Sequence, residues 1–296
     1  MGSQTTVIAG NSSFIDFGVT VNEAGDILGG DIILNPVGER INSAMWASGD
    51  TLLGNGEFHT SSTQYATSGE YYLDVYRADP IADTTQVSQF SVAYGHYNGY
   101  GETGLEGQSI KMTPTKAIYS QYAALLEDKN STDTDFKFDI SGSTDAIYVI
   151  NIGRNQLKER VDSGNWELKI GTNKLSLVDT YVGSGSNDLG DGPIDIVSGS
   201  ITSGKFATPT YSSYGKFYPN YGVMVLNAAN VSASAGGLVQ TLTPWNYDVA
   251  TGGYTAETDL QKLNALAFFT SIKAGEYFKA RSTEHLHTRT YFCRIP

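Results

Sequence analysis

The stretch Ala146–Ile152 (Ala-Ile-Tyr-Val-Ile-Asn-Ile) constrains the fold more than any other part of the chain. It is apolar at every position except Asn151 and dense in β-branched side chains, so it reads as a strand buried on both faces. Arg154–Val161 follows as a short helical turn, with Leu157 and Val161 four apart on one side. Ser163-Gly164 breaks it, and Trp166–Ile170 alternates apolar and polar residues like a half-covered strand. Residues 145–170 hold no His, no Cys, no carboxylate pair in a dry setting and no phosphate loop. Architecture and assembly therefore say more here than chemistry does.

Composition supports a chain of many short strands. Gly is abundant at 33, Tyr reaches 19, and charged residues make up only 17%. At 40% hydrophobic the sequence is too apolar for disorder, and 296 residues suffice for a sizeable core. The formal charge of −12 opposes tracking of a phosphate backbone, which requires Lys and Arg to displace counterions. It equally disfavours an anionic membrane surface, and no run of ~18 apolar residues is present to cross a bilayer. Partners are thus expected to include neither nucleic acid nor membrane. Cys293 is the single cysteine, so no intrachain disulfide is expected. The segment Met1–Thr6 lacks a basic region followed by an apolar one, so no signal peptide is read, and synthesis in a reducing cytoplasm is expected.

Along the chain, Glu70–Arg77 and Val87–Tyr97 are two runs of good β-formers. Asp79-Pro80 and Asp83-Thr84 mark the loop between them, which predicts an antiparallel pair. Thr113-Pro114 opens a helix to about residue 127, with Ile118, Tyr122, Leu125 and Leu126 on its apolar stripe. Lys174–Asp179, Asp195–Ser200 and Val223–Leu226 are strand-like, and a Gly/Ser/Asn/Asp loop spans Val182–Pro193. Glu257–Lys273 is the second clear helix, stopped by Gly275. Thr288–Ile295 reads as a final strand. The fold class expected is α+β, mostly antiparallel and β-rich. Residues 1–56 form an N-terminal arm and 57–296 the main domain, divisible into lobes at 57–144 and 145–296.

Four patterns resemble chemical motifs, and each has a plainer explanation. Gly99-Tyr-Gly101-Glu-Thr-Gly104 matches the dinucleotide fingerprint literally. No helix opens directly after it, so a loop is favoured. Asp128–Asp133 begins like a calcium loop but lacks the glycine at its sixth place, and Asp139 stands where a bidentate Glu belongs. Asp188, Asp191 and Asp195 belong to an acidic, solvated loop region. His285 and His287 share a strand face at a spacing that can chelate zinc, yet His59 and His96 are remote and no third ligand is near. No nucleophile elbow occurs. No catalytic, cofactor or metal residues are assigned, no cofactor is expected, and the chain is read as a non-enzyme.

Several segments together resemble a family of structural proteins from the virions of tailed, contractile-tailed bacteriophages of marine type. They are Phe58–Gln64, Gly69–Tyr76, Gln89–His96, Pro114–Tyr122, Ile147–Ile152 with Arg154, Leu157 and Lys158, and Gly164–Leu168. Further along come Ile196–Ser200, Tyr218–Asn227, Phe278–Glu284 and Thr290–Arg294. The order is collinear over about residues 46–294. Two departures stand out: Gly153 separates the strand from Arg154, and the sequence ends at Pro296 where such proteins continue. The resemblance implies a virion building block without turnover, in the tail or baseplate region as a wedge or peripheral component. Its implied partners are other virion proteins and copies of itself in a symmetric assembly. Alternatives are a carbohydrate-binding tail-fibre adhesin, suggested by the Tyr richness, and a neck- or capsid-associated structural protein.

The arm carries the expected inter-subunit contacts: Val7, Ile8, Phe14, Phe17, Ile32 and Ile33. Frequent Gly and Asn leave it too little apolar area to offset an ordering cost of about 1–2 kcal/mol per residue by itself. Burial against a neighbouring chain, at ~25 cal/mol per Å², supplies the difference.

Overall fold

The structure is a computed structural model, and it describes residues 38–47, 58–60, 72–76, 78–99, 114–126, 145–157, 159–183, 192–205, 214–240, 247–248, 253–254 and 260–287. In chain order the elements are β1 (Gly38–Ala47), β2 (His59–Thr60), β3 (Tyr72–Tyr76), β4 (Phe90–His96), α1 (Pro114–Leu126), β5 (Ala146–Ile152) and α2 (Arg154–Leu157). Then come β6 (Arg160–Val161), β7 (Glu167–Ile170), β8 (Leu175–Asp179), β9 (Ile194–Ser200), β10 (Gly204–Lys205), β11 (Gly215–Tyr218) and β12 (Val223–Asn227). The last are α3 (Ala228–Ala235), β13 (Tyr247–Asp248), β14 (Gly253–Tyr254), α4 (Leu260–Gly275) and β15 (Phe278–His287).

The chain divides into two units, residues 1–43 with 283–296, and residues 44–282. Of the smaller unit, only the first part of β1 and the last part of β15 are described. The larger unit is built on one antiparallel sheet in the order β15-β7-β8-β9-β11-β12-β5-β4-β3-β2. The α+β class, with strands dominating, is what the alternating sequence predicts. Two short strands extend the sheet: β10 pairs with β9, and β6 pairs with β15. A separate small hairpin joins β13 to β14.

β5 lies in the interior of the sheet, with β4 on one side and β12 on the other. Its alternate side chains enter two different clusters, which is why nearly all of it is apolar. Tyr148, Ile150 and Ile152 join the principal core, and Ile147 and Val149 join the second. The pleat sorts every neighbour the same way. Val92 and Tyr94 of β4, with Met224 and Leu226 of β12, share the principal core with α3 and α4. Ala93, Val223 and Val225 face the other way and meet Tyr119 of α1. Rings tie the principal core together: Tyr148 stacks on Phe268 of α4 at 4.4 Å, and Phe90 meets Phe58 and Phe278 edge-on at 5.2 and 5.3 Å.

Local sequence accounts for several boundaries. Asp79 and Asp83 each fold the β3–β4 loop back on itself: the Ile81 N–H donates to Asp79 Oδ1 at 2.9 Å, and the Thr85 N–H to Asp83 Oδ1 at 3.0 Å. Asn227 caps α3, accepting the Asn230 N–H at 3.0 Å, and Gly236 closes the helix at φ +67°. A cap of this kind contributes about 1 kcal/mol.

Three expectations need correction. The helical turn read over 154–161 ends at Leu157, because Val161 leaves it to pair in β6, where the Asp162 N–H bonds Arg281 O at 2.8 Å. Trp166–Ile170 is not half-covered: Trp166, Leu168 and Ile170 are fully buried and Glu167 is buried on the opposite side. Residues 278–287 form the long β15, of which the sequence pattern places only the segment around His285 and His287 on a strand. The expected final strand, residues 288–295, lies outside the described residues.

Candidate functional site

Strand β4 puts Phe90, Val92 and Tyr94 into the principal core. By alternation Ser91, Ala93 and Gly95 stand on the opposite face, the one α1 covers. Gly95 lets that helix come close, since a β-carbon there would lie 3.0 Å from the Tyr119 nitrogen and 3.1 Å from Ile147. Tyr119 is therefore buried on the strand, with Ile118, Tyr122 and Ala123 packed around the same cluster.

Past this contact the helix and the sheet part to leave a groove of about 390 Å³. Ala93 and Val149, neighbours across β4 and β5, line it together with the next cross-strand pair, Ser91 and Asn151. Tyr72 of β3, paired with Ala93, borders the sheet side and is 46% exposed. Ile118, Gln121 and Tyr122 form the helix side. Burial pushes the Tyr122 hydroxyl above its ordinary pKa, so it remains a neutral hydrogen-bonding group at physiological pH. Among the described residues, no Asp, Glu, Lys, Arg or His lines the groove. Small neutral polar groups beside aromatic rings can bind a neutral ligand by hydrogen bonds and stacking, and supply neither a nucleophile–base pair nor an anion cradle.

A second polar site is buried where the turn before β7 meets the end of β8. The Asp179 carboxylate accepts N–H bonds from Gly164 and Tyr181. Its pKa is pushed up to about 6 by burial, which those backbone bonds oppose. Nearby, Asp162 is also buried and accepts the Asn165 amide at 2.6 Å. These bonds run from carboxylates to the backbone and side chains of their own turns, an arrangement that fixes loops.

On the side of the sheet opposite the principal core, β7, β9 and β11 carry paired charges. Glu167 accepts the Ser176 hydroxyl and the Ile201 N–H, both at 2.9 Å, and lies 3.7 Å from Lys169. Lys169 also sits 4.7 Å from the centre of the Tyr277 ring. Lys216 bonds Asp195 at 2.7 Å. Val178, Val182 and Val197 form a third cluster there, which no helix residue joins among the described residues.

The contact residues expected in the arm, Val7, Ile8, Phe14, Phe17, Ile32 and Ile33, lie outside the described residues, as do 128–133, Asp139, Asp188 and Asp191. Of the fingerprint-like segment only Gly99 is described; it ends a turn after β4, with its N–H bonded to His96 O at 3.0 Å. His96 is buried, accepts the Asn98 N–H through Nδ1, and has its pKa lowered by burial, an effect opposed by Asp145. His59 lies in β2, and residues 285 and 287 fall within β15 with their side chains outside the description. Among the described residues no three His, Cys, Asp or Glu side chains gather as a metal site, and no helix is long and apolar enough to cross a membrane.

Sequence reasoning missed the groove. Its one visible signal was Asn151, the single polar position in an otherwise apolar strand. Ser91 and Gln121 acquire meaning only through strand register and the path of α1. No protein-family model matches the chain, and neither a curated protein nor a solved structure matches it.

Proposed function

We propose that this chain is a structural assembly protein of a tailed-phage virion, placed in the tail or baseplate region and acting through protein–protein contacts without turnover. One observation carries the reading. The collinear segments that resemble such virion proteins supply β3, β4, most of α1 and of β5, and all of β12. These elements form the interior of the sheet and the helix on it, so the resemblance follows the part of the sequence that specifies the fold. The paired charges on β7, β9 and β11 add support, since a strand face whose ions are already neutralised can be covered by a neighbour at less desolvation cost than one with free charges. The partners on this reading are other virion proteins and further copies of the chain, and the protein is made in the host cytoplasm before incorporation.

The test is mass spectrometry of gradient-purified particles from a host producing the phage that encodes this chain, followed by immunogold labelling. The protein should appear at fixed stoichiometry, with label at the tail end. Its absence from intact particles overturns the proposal, and label on fibre tips overturns the placement.

A further inference from the structure

The groove between α1 and strands β3, β4 and β5 has a lining chemistry that narrows its ligand. Its volume of about 390 Å³ lies within the range of about 300–1,000 Å³ typical of small-molecule sites. Ser91 and Asn151 stand opposite each other across two paired strands, so a hydroxyl and an amide are held on a rigid floor. Gln121 presents a second amide from the helix, while Tyr72 and Tyr122 bring aromatic rings from both sides. Among the described residues, no Lys or Arg lines the groove to hold a phosphate or sulfate, and no carboxylate lines it to hold a cation.

A wholly apolar ligand would strip water from Ser91, Gln121 and Asn151 without replacing their hydrogen bonds, which is costly for each group. A polyhydroxylated ring does the opposite. Its hydroxyls bond two amides and a hydroxyl, and its C–H face lies on a tyrosine. The geometry points to this groove as a binding site for an uncharged saccharide of one or two rings, with Asn151, Gln121 and Ser91 as the polar contacts and Tyr72 as the stacking platform. The assignment stands on the lining alone and does not depend on the chain's location in a virion.

The test is saturation-transfer NMR on the purified chain with three probes, methyl β-glucopyranoside, methyl α-mannopyranoside and N,N′-diacetylchitobiose, with glycerol as the non-ring control. At least one sugar should show transfer strongest at its ring C–H protons, and glycerol should show none. Asn151→Ala and Tyr72→Ala should each weaken the responding sugar about tenfold, the scale of one lost hydrogen bond or stacked ring. Gln121→Ala, at an exposed helix position, should weaken it without changing the thermal midpoint, which separates loss of ligand from loss of fold. Transfer to none of the three sugars overturns the assignment, as does binding that Gln121→Ala and Asn151→Ala leave unchanged.

Discussion

The backbone N–H of Gly164 donates to both carboxylate oxygens of Asp179, at 3.0 Å to Oδ1 and 2.8 Å to Oδ2. That contact fastens the turn before β7 to the end of β8, and it places an ionisable group where its charge is poorly solvated.

Burial dominates at Asp179, raising its pKa from 3.8 to about 6. The folded state therefore holds this proton more tightly than the unfolded chain does. The resulting stabilisation is complete below about pH 4 and is lost as pH rises through about 6. A shift of that size corresponds to about 3 kcal/mol across the window. Asp179→Asn cannot titrate, so the stability difference between wild type and variant should change by roughly that amount between about pH 4 and pH 7. Urea midpoints across the window check it, and parallel profiles for the two proteins would show that Asp179 does not set the slope.

Gly171 and Gly183 share a φ of +72° but differ in surroundings. A β-carbon at Gly171 would run into the carbonyl oxygens of Ala235 and Gly236, whereas one at Gly183 meets nothing within 4 Å among the described residues. Gly183→Ala should cost about 1 kcal/mol, the backbone strain alone. Gly171→Ala should cost about 3 kcal/mol or more, because main chain must also move. Equal costs from equilibrium denaturation would mean the close approach at Gly171 is not a constraint.

Phe268 anchors α4 to the sheet by stacking on Tyr148 with an interplanar angle of 10°, and it is fully buried. Phe268→Ala should destabilise by about 3–5 kcal/mol, the range for an aromatic deleted from a close-packed core. A loss below about 1 kcal/mol in guanidinium denaturation would place the attachment of α4 elsewhere.

Lys174 and Glu276 form an exposed ion pair at 2.6 Å, and both hold a positive φ, 51° and 57°. An exposed pair is largely screened, while the left-handed backbone at Glu276 is a strain that glycine would not feel. Glu276→Gly should therefore raise the thermal midpoint, in low and high salt alike. A fall that disappears in high salt would show the ion pair to be the stronger effect.

The elements legible in the sequence were those with a strong local signature. β5 announced itself by its apolar run, α1 by Pro114 and its stripe, and the β3–β4 loop by Asp79 and Asp83. α3 escaped notice because Ala228–Ala235 is short and rich in Ala and Ser, with too few large apolar residues to show a period. Its cap, Asn227, and its closing Gly236 were the signals available. The burial of Trp166–Ile170 was illegible for a different reason: its alternation was read correctly, but Glu167 is buried by Ser176 and Ile201, residues that only tertiary folding brings to it. The groove belongs to the same class, since the opposition of Ser91 to Asn151 is a matter of register between strands separated by α1.

The strand order carries a consequence for how the chain is made. β7 gains β8 as a neighbour almost as soon as both have been synthesised, but its other neighbour is β15, which pairs Phe278 with Leu168 from far along the chain. A nascent chain that has emerged only as far as α3 therefore presents the N–H and C=O groups of one β7 edge without their eventual partner, an open template for a wrong strand. Phe278 also closes the ring cluster with Phe90 and Phe58, so the packing around β4 waits on β15 as well. Completion of this sheet thus waits on the emergence of β15, with protease resistance of β7 expected only after residue 282 has cleared the ribosome.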